Sequence, residues 1–127
     1  MQPEARLVKR IVAKLNDAGA VSFKIHGGDN PFQAVGIPDL LVVWWGWFVG
    51  IEVKLPGESL RPAQVVALRE IFASGGIAAV IETAEQVDVL RSYLEDWRRS
   101  DYDEARGTYR GILFNRGRIS HRWALKA

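Results

Sequence analysis

The stretch that most constrains this chain runs from Gly36 to Lys54. In it two apolar runs, Leu40–Trp44 and Trp47–Val53, flank Trp45-Gly46. Runs of this length, rich in β-branched and aromatic residues around a glycine, predict a hairpin. A two-residue turn at Trp45-Gly46 pairs Trp44 with Trp47 and Val43 with Phe48, and continues down to Asp39 opposite Glu52. Tryptophan fits poorly at the positive-φ positions of such turns, and a bulge would move the pairing by one residue. Strand side chains alternate, so Glu52 and Lys54 share one face while Val53 takes the other.

That register sets two carboxylates and an ammonium on one patch. Two anions about 5 Å apart repel by roughly 3 kcal/mol at an effective dielectric near 20. A fold accepts this when a cation sits between them, and hard oxygen donors suit Mg²⁺ or Mn²⁺. Asp39, Glu52 and the carbonyl oxygen of Val53 would be the ligands. The plainer reading is a solvent-facing strand with scattered charges.

The net charge of +2 hides a segregation. Residues 1–24 hold five basic and two acidic side chains, residues 25–96 four and ten, and residues 97–127 eight and three. Acid surrounds the candidate metal site and base lies at both ends. Holding a metal requires the first, and holding phosphates requires the second. With 127 residues the expectation is one core domain over 1–96 and a basic C-terminal extension over 97–127, packed on the core or at a dimer interface. The absence of cysteine excludes disulfides, and His26 and His121 are too far apart in sequence to suggest a zinc site. No apolar run reaches membrane-spanning length and no signal peptide is visible, so a cytoplasmic protein without a membrane partner is expected.

Along the chain, Glu4–Ala18 predicts an amphipathic helix, with Leu7, Val8, Ile11, Val12 and Leu15 at helical spacing and Gly19 closing it. Glu4 is either a first-turn acid favoured by the helix dipole or a group projecting toward the metal site. Val21–His26 alternates as a strand, with Val21, Phe23 and Ile25 on one face. Lys24, on the other, either shares the site's face and reaches a phosphate or is an exposed edge lysine. Gly27–Gly36 is rich in breakers and predicts a loop, placed as a flap over a substrate, in which Asp29 caps a turn or ligates. Pro62 starts a helix that runs to about Ser74, with Arg61 before it as a phosphate-facing cation and Gln64 in its first turn. Ile77–Ile81 predicts an interior strand. Thr83 and Gln86 match a capping box for a helix from Ala84 to about Trp97. Tyr109–Trp123 predicts a second hairpin around Asn115-Arg116-Gly117. Its Arg110, Arg116, Arg118 and Arg122, interleaved with aromatics, suit DNA contact or a dimer interface equally well.

Gly36-Ile37-Pro38-Asp39-Leu40, Glu52-Val53-Lys54 and the downstream Gln64 together resemble the VRR-NUC family of the PD-(D/E)XK nuclease superfamily, in the small stand-alone form of phage and prophage genomes. The resemblance covers roughly Glu4 to Leu94. It implies a restriction-endonuclease-like α/β fold, a mixed β-sheet flanked by helices in the order α-β-β-β-α-β-α, with the basic hairpin following. It further implies a metal-dependent endonuclease acting on DNA with Mg²⁺ or Mn²⁺ in a bacterial or phage-infected cell. Asp39, Glu52 and Lys54 would be catalytic, Gln64 would orient the lysine or the water, and Glu4 would contribute at longer range, through water. Stand-alone members are similar to homodimeric Holliday-junction resolvases, which points to branched or four-way DNA. A catalytically silent DNA-binding or assembly subunit is the alternative. The tryptophans at the first hairpin's tip are candidates for the dimer contact.

Overall fold

A computed structural model describes residues 1–25, 35–99 and 111–126. Most of the expected flap, Asp29, His26, Tyr109 and Arg110 lie outside them. The elements are α1 (Pro3–Asp17), β1 (Val21–Lys24), β2 (Leu40–Trp44), β3 (Trp47–Val53), α2 (Pro62–Ala73), β4 (Ile77–Ile81), α3 (Glu85–Arg99), β5 (Ile112–Asn115) and β6 (Arg118–Ser120). The strands form one mixed six-stranded sheet in sequence order. β1–β2, β2–β3 and β5–β6 pair antiparallel, while β3–β4 and β4–β5 pair parallel. The expected α/β class and element order are therefore observed, and β5 continues the same sheet beyond the resembled stretch.

The first hairpin has the expected register, Leu40 opposite Ile51 through to Trp44 opposite Trp47. Its turn uses φ of 49° at Trp45 and 88° at Gly46, so tryptophan occupies a left-handed position that disfavours a bulky side chain. The apolar periodicity of α1 buries Leu7, Val8, Ile11 and Leu15 against the odd-numbered side chains of β3 and the even-numbered ones of β2. α3 adds Val87, Leu90 and Leu94 to this layer, and Ile112 and Phe114 of β5 complete it. On the opposite face α2 lays Leu68 and Phe72 over Ala78, Val80 and Leu113, with Trp123 and Leu125 of the C-terminal segment alongside. The start of α3 differs slightly from the expected capping box, because Gln86 Oε1 accepts from the Glu82 N–H and not from Thr83.

Two expectations are corrected here. β1 places Lys24 opposite Leu40 and Phe23 opposite Leu41, and directly opposed residues share a face. Lys24 therefore lies on the α1 side of the sheet, away from Asp39 and Glu52, while Val21 and Phe23 are 56% and 58% exposed on the other. The second concerns the tryptophans. Trp44 and Trp47 are buried in the chain's own core, Trp47 packing on Trp97, and Trp45 lies against Trp44 under the Arg98 guanidinium. Of the four aromatics at the hairpin tip, Phe48 alone is exposed. Among the described residues no helix is long and apolar enough to cross a membrane.

Candidate active site

The site forms where β2 begins and β3 ends. One step beyond the Leu40–Ile51 pair, Asp39 stands opposite Glu52, and alternation turns both toward the α2 face together with Lys54. Asp39 does not merely face the strand. Its Oδ2 accepts a hydrogen bond of 2.7 Å from the Val53 N–H, so the carboxylate caps the end of the ladder. In a strand the N–H and C=O of one residue point to the same side, which directs the Val53 carbonyl toward the same corner. The Lys54 N–H points the other way, to the Ile81 carbonyl at 3.0 Å.

Glycine at position 36 has a physical reason. Its φ is 81°, and a Cβ there would run into the Ala63 carbonyl and the Gln64 amide. The segment leading to Asp39 therefore lies against the first turn of α2 and brings Gln64 beside the carboxylates. Gln64 is buried, and its Oε1 accepts from the Arg61 N–H at 2.8 Å. That bond fixes the amide's orientation, so the NH₂ group must face Glu52, and Nε2 donates to Glu52 Oε1 at 2.9 Å. Arginine at the cap supplies no accepting atom, so only this half of a capping box exists.

Glu52 is 2% exposed, and its second oxygen, Oε2, has no hydrogen-bond partner. Burial, then the negative charge of Asp39, then the hydrogen bond to the Asp39 side chain that only a protonated Glu52 can make, push its carboxyl from the ordinary range up to about 8, with Lys54 and Arg61 acting in the opposite sense. An unpartnered buried oxygen, a second carboxylate held beside it and a backbone carbonyl at the same corner form a hard-oxygen donor set that fits a divalent cation. Lys54, 8% exposed, lies on the same face as Glu52.

The other expected residues are distributed differently. Glu4 is exposed in the first turn of α1, which packs on the opposite face, and among the described residues no three His, Cys, Asp or Glu side chains converge. Arg61, Arg118 and Arg122 are exposed, and Arg110 lies outside the described residues. Arg116 is turned inward. Its Nη1 donates to Glu82 Oε2 at 2.8 Å and its Nη2 to the Glu58 carbonyl. The contact of Arg116 with the loop before α2 was not foreseen from sequence. The available signal was an arginine in Asn115-Arg116-Gly117 where the turn favours asparagine.

No family model and no curated protein matches the sequence. Among solved structures, a "VRR_NUC domain" is similar to the chain at 25% identity with a TM-score of 0.61, over 73% of this chain and 98% of that one.

Proposed function

Because the chain belongs to the VRR-NUC family, we propose that it is a metal-dependent endonuclease that hydrolyses DNA phosphodiester bonds in branched or four-way substrates. The observation that supports this most is the buried, unpartnered Oε2 of Glu52 standing beside Asp39. Asp39, Glu52 and the Val53 carbonyl would hold one Mg²⁺ or Mn²⁺, which supplies Lewis-acid polarisation of a phosphoryl oxygen. Lys54 then directs an ammonium to the charge developing on the phosphate or orients the attacking water. Gln64 fixes the rotamer of Glu52 through Oε1 and leaves Oε2 free for the cation. Exposed Arg61, Arg118 and Arg122 hold neighbouring phosphates.

One small chain presents one site, and cutting two strands of a junction requires two, so the chain acts as a homodimer. With the tryptophans committed to the core, the surface left for that contact is the apolar face of Val21, Phe23, Val43 and Phe48. It adjoins a cavity of about 670 Å³ lined by Leu41, Val66 and Ile71, with Glu70 the one charged residue in its described lining.

The test is a cleavage panel of duplex, flap, splayed-arm and four-way DNA with Mg²⁺ and Mn²⁺, alongside a solution mass. Metal-dependent cutting of branched DNA by a dimer is expected. Binding in a gel shift with no cleavage under either metal would instead establish the silent DNA-binding subunit.

A further inference from the structure

The turn of the second hairpin is built against its local preference. Arg116 and Gly117 have φ of 52° and 97°, the pattern that favours asparagine followed by glycine, and a long side chain there is held in a strained region. From that position the guanidinium reaches over the ends of two other elements. It joins Glu82, just past β4, and the Glu58 carbonyl in the loop between β3 and α2, while the Arg116 N–H donates to the Val80 carbonyl at 2.9 Å. The ion pair with Glu82 is shielded, at 26% and 20% exposure. Glu58 in turn closes its own loop, since its Oε1 accepts from the Leu55 N–H at 2.6 Å and its N–H donates to the Leu55 carbonyl at 3.0 Å. The loop so held begins next to Lys54 and ends at Arg61, whose N–H sets the orientation of Gln64 against Glu52.

We propose that Arg116 is a positioning residue, which acts through the Leu55–Arg61 loop and Gln64 to hold Glu52 in its working geometry. The proposal rests on the reading above that Glu52 belongs to the machinery. It reassigns Arg116 from DNA contact to active-site support, because its charge is already paired with Glu82 and its side chain is only 26% exposed. It also gives the C-terminal hairpin, beyond the stretch that resembles the family, a part in the reaction.

The informative variant is Arg116→Asn, which suits the turn backbone and removes the clamp. It is compared with Arg116→Lys, which keeps the charge but not the two-armed reach. Two quantities are measured. One is kcat against KM on a four-way junction with Mg²⁺, and the other is the proton exchange rate of the Gln64 side-chain NH₂ by NMR without substrate. For Arg116→Asn the expected result is a melting temperature close to wild type, kcat lowered about tenfold, KM within twofold, and Gln64 exchange at least about tenfold faster. Arg116→Lys should fall between the two on both readouts. Wild-type Gln64 exchange in Arg116→Asn overturns the proposal. So does a raised KM with a flatter salt dependence at unchanged kcat, which is the signature of a phosphate contact. If the wild-type chain cleaves nothing, the nuclease reading fails, while the exchange rate still decides whether the clamp exists. If Arg116→Asn does not fold, Arg116→Lys with wild-type exchange and kcat overturns the idea.

Discussion

The sheet contains two tight hairpins made by the same device and put to different uses. Both turn on a large residue followed by glycine, Trp45-Gly46 and Arg116-Gly117, with all four residues at positive φ. At β2–β3 the strained residue is apolar, and its ring lies on Trp44 and beneath Arg98. At β5–β6 it is a cation bonded to Glu82 and Glu58. The first hairpin brings two carboxylates together at the open end, far from the turn, where Asp39 and Glu52 meet. The second works at the turn itself. The same backbone solution can thus anchor a core or brace a neighbouring loop, depending on one side chain.

The sharpest way to break this comparison is turnover. Asp39→Ala, Glu52→Ala or Lys54→Ala should each lower cleavage at least about 10²–10³-fold in a gel assay with Mg²⁺, with DNA binding largely kept. Arg118→Ala and Arg122→Ala should act mainly on KM and its salt dependence. Loss of turnover in the second pair as deep as in the first would erase the division of labour.

Next in size is a pH effect confined to the first hairpin. Folded Glu52, with its carboxyl raised to about 8, holds a proton that the unfolded chain has lost above the usual carboxylate range. The folded state binds more protons in that window, so metal-free stability must fall as pH rises from about 4.5 through 8. The drop is on the order of a few kcal/mol, and urea unfolding in chelator at pH 5 and pH 8.5 measures it. Glu52→Gln should flatten the profile; an unchanged slope would locate the effect elsewhere.

Divalent metal should reverse part of that loss. At 100 times its dissociation constant a ligand of the folded state adds about 2.7 kcal/mol, several degrees in melting temperature for a domain of this size. The increment should disappear in Asp39→Asn/Glu52→Gln. If it survives there, the cation binds outside the hairpin.

The smallest effect compares the turns directly. Trp45→Asn relieves a left-handed residue but loses its ring contacts, and should destabilise by about 1 kcal/mol. Arg116→Asn exchanges strain relief for a shielded ion pair and should be nearly neutral in thermal melts. Equal losses at both turns would mean that Arg116, like Trp45, serves stability first.

The β2–β3 register was legible because a two-residue turn at Trp45-Gly46 fixes every pair that follows it, and this brings Asp39 opposite Glu52, as the observed pairing does. β1 was not legible to the same degree. An edge strand exposed on nearly every residue has little burial to fix which face is which, so the sequence leaves Lys24 two roles, and of these the structure has the exposed edge lysine. The tryptophans are candidates for a dimer contact from sequence because their cover, Trp97 and Tyr93, comes from a helix distant in sequence. Parallel addition of β5 to β4 leaves no local trace, so the arginine in the turn marks an unusual position without showing that it reaches the loop before α2.

The spacing of these contacts along the chain also has a temporal meaning. The hydrogen bonds that gather Asp39, Glu52 and Gln64 span 14 and 12 residues, whereas the one from Arg116 to Glu58 spans 58. Short-range closures precede long ones, so on the ribosome the acidic cluster can gather while the brace is still unsynthesised. A nascent chain would hold that cluster without its brace until β5 and β6 emerge.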